Sequence, residues 1–157
     1  MKAKRGVKMP ARATKESACY DLFAPKDIKL KAGEWVEFGT GVSLDGTEVP
    51  VLAMKRHNRT TGFDDTVEYR PLTWAMTIHP RSGLGFKYIV RIANTTGIVD
   101  QDYRDEIRCK LTAEEDVTIP KGKAYAQAMF VPYLTLQDEI VPEEVRKGGF
   151  GSTDKEE

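Results

Sequence analysis

Residues 92–111 read IANTTGIVDQDYRDEIRCKL, and their second half decides the fold class. Ile107, Cys109 and Leu111 alternate with Arg108 and Lys110, the period-two pattern of a strand with one buried face. In the first half, Asn94 offers a side-chain amide, and Gly97 is the expected point of a tight turn. Asp100 and Asp102 flank Gln101, so on an extended segment both carboxylates face one side. Such a pair suits a metal site, or a general base with a charged neighbour. Tyr103 adds a flat ring able to lie against a sugar or a base. A charged β-turn after a buried strand fits these residues equally well.

The neighbouring segments extend the β reading. EWVEFGTGVSL (34–44) partly alternates apolar with polar residues, and VTIP (117–120), AYAQAMFVPY (124–133) and TLQDEIV (135–141) are further β-rich runs. Pro25, Gly33, Gly46, the Pro120-Lys-Gly122 group and Pro132 punctuate them at spacings typical of sandwiches and barrels. The one plausible helical turn is SGLGFKY (82–88), after Pro80. The expectation is an all-β chain: a single jelly-roll-like barrel or sandwich with one short helical turn.

Composition bounds what such a domain does. A chain of 157 residues suits one domain with a sizeable core. Lys and Arg total 24 against 24 Asp and Glu, so no global field draws the protein to nucleic acid or membrane. Cys19 and Cys109 form no CxxC pair, which favours a reduced intracellular protein. The start, MKAKRGVKMPARATKES, lacks the apolar core of a signal peptide, and no stretch approaches membrane-spanning length. The expected location is therefore cytoplasmic, host cytoplasm included for a viral or phage protein. The glycosylation patterns at Asn58 and Asn94 are then accidental.

Four further constellations carry polar chemistry. Arg81 and Ser82 precede Gly83 and Gly85, an arrangement that suits a phosphate, although a solvated Arg-Ser-Gly turn looks the same. Asp21 lies inside the otherwise apolar run 18–25, where a carboxylate needs a partner. Gln127 in its apolar strand needs hydrogen-bond partners too. Finally, RKGGFGST (146–153) resembles a phosphate loop with no helix behind it, and it is not a Walker motif. Zinc-ligand spacing and the G-x-S-x-G elbow of serine hydrolases are both missing.

Taken in order, these motifs resemble those of the trimeric dUTPase family. ACYDLFA, PRSGLG, NTTGIVDQDYRDEI, KGKAYAQ and GGFGST look like its five motifs, from about Ala18 to Thr153. The resemblance implies hydrolysis of dUTP to dUMP and diphosphate, with Mg²⁺ on the triphosphate. It implies that Asp100 activates the attacking water, that Tyr103 lies under the deoxyribose and that Asn94 reads uracil, with Gly97 beside it. Arg81, Ser82, Gly83 and Gln127 match residues around the triphosphate, and Asp21 matches an aspartate linked to the metal through water. Phe150 matches the aromatic that closes over uracil, with Gly151, Ser152 and Thr153 by the phosphates and Arg146 as the arm's arginine. The implied assembly is a homotrimer with shared sites, each chain contributing a β domain (1–145) and a mobile arm (146–157) that closes a neighbour's site. The sequence departs from the pattern at Cys19, where the family usually has glycine, and at Ala124, commonly arginine.

Residues 44–74 stand apart, polar in the middle with apolar ends able to pair as a hairpin. This insertion, about 45–74, has no counterpart in the minimal family pattern. Loop statistics favour a surface excursion, and a protein-partner site is the other reading. Two rivals to the dUTPase reading are a dCTP deaminase of the same superfamily and a non-catalytic dUTP-sensing regulator.

Overall fold

The computed structural model describes residues 1–45, 73–136, 140 and 148–149, together with the backbone of 51–57 and 64–71. Thirteen strands and one helix occur among them. They are β1 (Lys2–Ala3), β2 (Ala11–Arg12), β3 (Tyr20–Phe23), β4 (Ile28–Leu30), β5 (Trp35–Ser43), β6 (Val51–His57), β7 (Asp64–Pro71) and β8 (Trp74–Pro80). After β8 come α1 (Ser82–Tyr88), β9 (Arg91–Ile92), β10 (Gly97–Asp100), β11 (Glu106–Thr112), β12 (Val117–Ile119) and β13 (Ala124–Pro132).

The strands form a four-stranded sheet in the order β1-β5-β11-β9 and a five-stranded sheet in the order β10-β8-β13-β3-β2. A small sheet pairs β12 with β4. One continuous core draws Phe38, Ile107 and Leu111 from the first sheet, Leu22, Met76 and Ile78 from the second, and Ile28 and Ile119 from the third. Each of these side chains contributes about 1.5–3 kcal/mol by leaving water. The architecture is the sandwich alternative of the expected fold; the described strands do not close into a barrel.

Local pattern explains most of the elements. In β11 the buried residues are Ile107, Cys109 and Leu111, and Arg108 and Lys110 face out, as their alternation requires. β5 alternates less cleanly, because Thr40, Gly41 and Val42 are all buried. The cause is an irregularity in its pairing with β11: Glu106 lies opposite Ser43, yet Arg108 lies opposite Gly39. The expected helical turn is α1, which ends where Ile89 takes a left-handed conformation at φ 50°.

TLQDEIV is not a strand over its described residues. β13 stops at Pro132, and Thr135, Leu136 and Ile140 belong to no element. Pro132 lacks the N–H that a further ladder bond would need. β6 and β7 pair as an antiparallel hairpin forming a sheet of its own, with Val51 opposite Pro71 and His57 opposite Asp64. The apolar ends of the insertion thus pair as expected. No helix among the described residues is long and apolar enough to cross a membrane.

Candidate active site

A cleft of about 600 Å³ opens where β9, β10 and β11 converge. Asn94, Gly97, Asp100 and Tyr103 all line it, joined by Ile98, Arg108 and Gly149. Four of the expected site residues therefore share one cavity, although they span ten positions of sequence.

β10 is placed by its pairing with β8, which sets Gly97 opposite Ile78 and Asp100 opposite Ala75. The chain then turns at once: the Tyr103 N–H donates to the Asp100 carbonyl at 3.1 Å. This turn corrects the expectation that Asp100 and Asp102 face one side of an extended segment. Gln101 and Asp102 form the turn itself, and Asp102 is exposed. The charged β-turn is the arrangement present, and of these two aspartates Asp100 lines the cleft.

Gly97 also differs from its expected role. The left-handed residue of the β9–β10 connection is Thr95, at φ 57°. Gly97 instead sits inside β10, where a Cβ would come within 3.4 Å of Ile78 Cβ. Its contribution is a missing side chain on the cleft wall.

Tyr103 is buried, 7% exposed, and belongs to the core. Its hydroxyl donates to the Glu106 carbonyl at 3.0 Å. The backbone of Gly149 lies against the ring, so close that a Cβ there would stand 2.8 Å from Tyr103 Cε2. A glycine of the C-terminal segment is thus required for this contact. Sequence reasoning read the terminal glycines as allowing a close approach but missed the contact of Gly149 with Tyr103, because that partner is 46 residues earlier in the chain. On the opposite wall, Arg108 donates through Nε to Glu37 Oε1 at 2.9 Å. Cys109 also reaches the lining, and burial pushes its thiol up to about 12.

The remaining expected residues gather elsewhere, around β3, β13 and the head of α1. Gln127 of β13 lies between Asp21 of β3 and His79 of β8. Its amide donates to the Pro80 carbonyl at 3.1 Å, so the buried-strand glutamine is satisfied. Arg81 Nε lies 3.2 Å from Asp21 Oδ1, which supplies the partner a carboxylate needs in that run. Ser82 and Gly83 open α1 next to this pair. None of Asp21, Arg81, Ser82, Gly83 or Gln127 lines the Asp100 cleft.

The separation follows from register. Asp100 pairs with Ala75, and Arg81 is six residues further along the same chain. At the strand rise these six steps span roughly 20 Å, beyond the combined reach of an aspartate and an arginine. The two clusters of one chain cannot act on the same phosphorus atom. Arg146, Phe150, Gly151, Ser152 and Thr153 lie outside the described residues.

Comparison with known proteins agrees with the motif order. A dUTPase family model matches residues 52–154. The deoxyuridine 5'-triphosphate nucleotidohydrolase of Nautilia profundicola is 33% identical over 153 residues, covering 94% of this chain and 91% of its own. Among solved structures, a mutant dUTPase of phage phi11 of S. aureus, in which a structural Mg(II) ion is coordinated, matches with a TM-score of 0.61. It is 18% identical, covering 89% of this chain and 93% of that one. A mutant dUTPase of Staphylococcus bacteriophage 80alpha with dUpNHpp also gives 0.61, at 18% identity, covering 91% and 95%. At such identities the structural matches show the fold alone, whereas the family model and the N. profundicola relative reach further: the chain belongs to the dUTPase family.

Proposed function

We propose that this protein hydrolyses dUTP to dUMP and diphosphate, removing the nucleotide that would place uracil in DNA and supplying dUMP for thymidylate synthesis. One observation carries the reading: Asn94, Gly97, Asp100 and Tyr103 converge on a single cleft in a chain of this family.

The chemistry suits the residues. Attack on the α-phosphorus needs a water held in line, a base to take its proton and neutralised charge on the leaving diphosphate. The Asp100 carboxylate takes that proton. Tyr103, buried and fixed through its hydroxyl, offers its ring to the deoxyribose and leaves no room for a 2′-hydroxyl. Asn94 hydrogen-bonds the uracil edge, and cytosine is refused because it would leave buried polar groups unpaired.

Arg81, Ser82, Gly83 and Gln127 bind the triphosphate. Next to them Asp21 offers its carboxylate beside a guanidinium. That donor set fits a hydrated magnesium ion carried by the phosphates, which keeps several of its waters, better than a dedicated protein cage. Asp21 would hold the ion through water, and the ion would supply neutralisation of the diphosphate charge.

The roughly 20 Å between the Asp100 and Arg81 clusters supports a site completed by another copy of the chain, in a homotrimer. The exposed apolar side chains of Leu134, Leu136 and Ile140 fit a C-terminal segment that runs onto a neighbour. Gly149 lies against Tyr103 of its own chain. This contact supports closure of the arm, 146–157, over the Asp100 cleft with Arg146, Phe150, Gly151, Ser152 and Thr153 at the nucleotide, whichever copy supplies the arm. The β6–β7 hairpin of the insertion is the place for a protein partner.

Diphosphate release from dUTP with Mg²⁺, run beside dCTP, dTTP and UTP, tests the function. Release from dUTP alone is the expected result. Ammonia from dCTP would identify a deaminase, and dUTP binding without turnover a sensor; either would overturn the reading.

A further inference from the structure

Glu106 opens β11 three residues after Tyr103, and it is absent from the set of residues expected to touch nucleotide. Tyr103 is pinned at both ends: its backbone N–H donates to the Asp100 carbonyl, and its ring hydroxyl donates to the carbonyl of Glu106. The second pin is only as firm as the Glu106 peptide. That residue is held by its pairing with Ser43 of β5 and, in addition, by its own side chain. Lys4 Nζ donates to Oε2 at 2.7 Å, and the Gly41 N–H donates to Oε1 at 2.6 Å.

These contacts are built into the irregular stretch of β5. Three residues, Thr40 to Val42, stand opposite Ile107 alone. The Thr40 hydroxyl donates to the Ile107 carbonyl at 2.8 Å, and the Lys4 N–H donates to the Gly41 carbonyl at 2.8 Å. The carboxylate occupies the room that Gly39 leaves. A Cβ at Gly39 would stand 2.6 Å from Oε1, and Gly41 adopts φ 73°. The Lys4 ammonium, the Gly41 N–H and the nearby Arg108 guanidinium hold the Glu106 carboxyl below its ordinary value against the opposing effect of burial.

We propose that Glu106 is a positioning residue: its carboxylate, clamped by Lys4 and Gly41, sets the place of the Tyr103 ring and with it the exclusion of a 2′-hydroxyl. The inference rests on the dUTP reading and deepens it. A ring shifted by a fraction of an ångström still underlies deoxyribose but no longer crowds the 2′ position. Loss of the clamp therefore falls on sugar selectivity more than on dUTP turnover.

The test is the ratio of kcat/KM for dUTP to that for UTP in the wild type, Glu106→Gln, Glu106→Ala and Lys4→Met. Lys4 is exposed and breaks the ion pair from its far side, so its variant guards against misfolding of the other two. In Glu106→Ala the ratio is expected to fall about tenfold or more, chiefly through faster UTP turnover. Smaller falls are expected in Glu106→Gln and Lys4→Met. Variants that lose thermal stability but keep the wild-type ratio would overturn the inference and leave the hydrolase intact. A wild type inert towards dUTP would overturn both.

Discussion

Arg81, just ahead of α1, pairs with Asp21, its Nε 3.2 Å from Oδ1, and the arginine side chain remains 39% exposed. A pair so open to solvent adds about 0–1 kcal/mol to stability. On the proposed function, its value lies in presenting a held cation to the triphosphate. In Arg81→Ala, kcat/KM for dUTP is expected to drop about 100-fold while the melting temperature moves little. Thermal melts beside diphosphate release check this. A collapse in stability with unchanged specific activity of the folded fraction would make the pair structural.

Asp100→Asn keeps the shape of the cleft wall and removes the proposed proton acceptor. Turnover is expected to fall by about 10²–10⁴, with binding of dUpNHpp retained within a few-fold. Single-turnover kinetics and calorimetric titration separate the two quantities. Near-normal turnover would give the base to another group.

What could be read from sequence divides by range. The alternation in β11, the helical turn at 82–88 and the convergence of Asn94, Asp100 and Tyr103 are local, so a window of a few residues carries them. The disruption of β5 is not local. It is set by the Glu106 carboxylate, 65 residues away, taking the Gly41 N–H. The same holds for Gly149, whose lack of a side chain matters only against Tyr103. Gly97 and Thr95 show the other kind of miss. Glycine is the default at a left-handed position, yet here the short connection forces a threonine into it and leaves glycine for the strand. Asp100 and Asp102 would share a face only in a strand, and the strand ends at Asp100.

Acid should loosen the β1–β5–β11 junction. The Glu106 carboxyl is held below its ordinary value of 4.5, first by the Lys4 hydrogen bond. The unfolded chain therefore takes up this proton more readily than the folded one. The stabilisation is fully present above pH 4.5 and is lost as pH falls through the depressed folded value. Melting temperature followed from pH 6 downward should show a gap between wild type and Lys4→Met that narrows below about pH 4.5. A gap independent of pH would mean that packing, and not charge, is what Lys4 supplies.

The two cysteines should react differently. Cys109 is buried and its thiol is pushed up to about 12, whereas Cys19 is partly exposed. In the folded protein iodoacetamide is expected to label Cys19 alone, and Cys109 only after denaturation, as read by mass spectrometry. Because the unfolded Cys109 ionises near 9 and the folded one does not, its contribution to stability declines as pH rises above that value. Equal labelling of both thiols in the native state would contradict the burial.

Subunit mixing tests how sites are assembled. Within one chain Arg81 lies six residues beyond Ala75, the partner of Asp100, and in the proposed homotrimer a working site draws the two from different copies. Asp100→Asn and Arg81→Ala proteins, each impaired alone, should therefore complement. After denaturation together at equal amounts and refolding, about one quarter of the sites would carry both wild-type residues by random assortment. Diphosphate release should recover to about that fraction of the wild-type rate. Simple averaging of the two poor activities would show that each chain builds its own site, and the arrangement across copies would have to be abandoned.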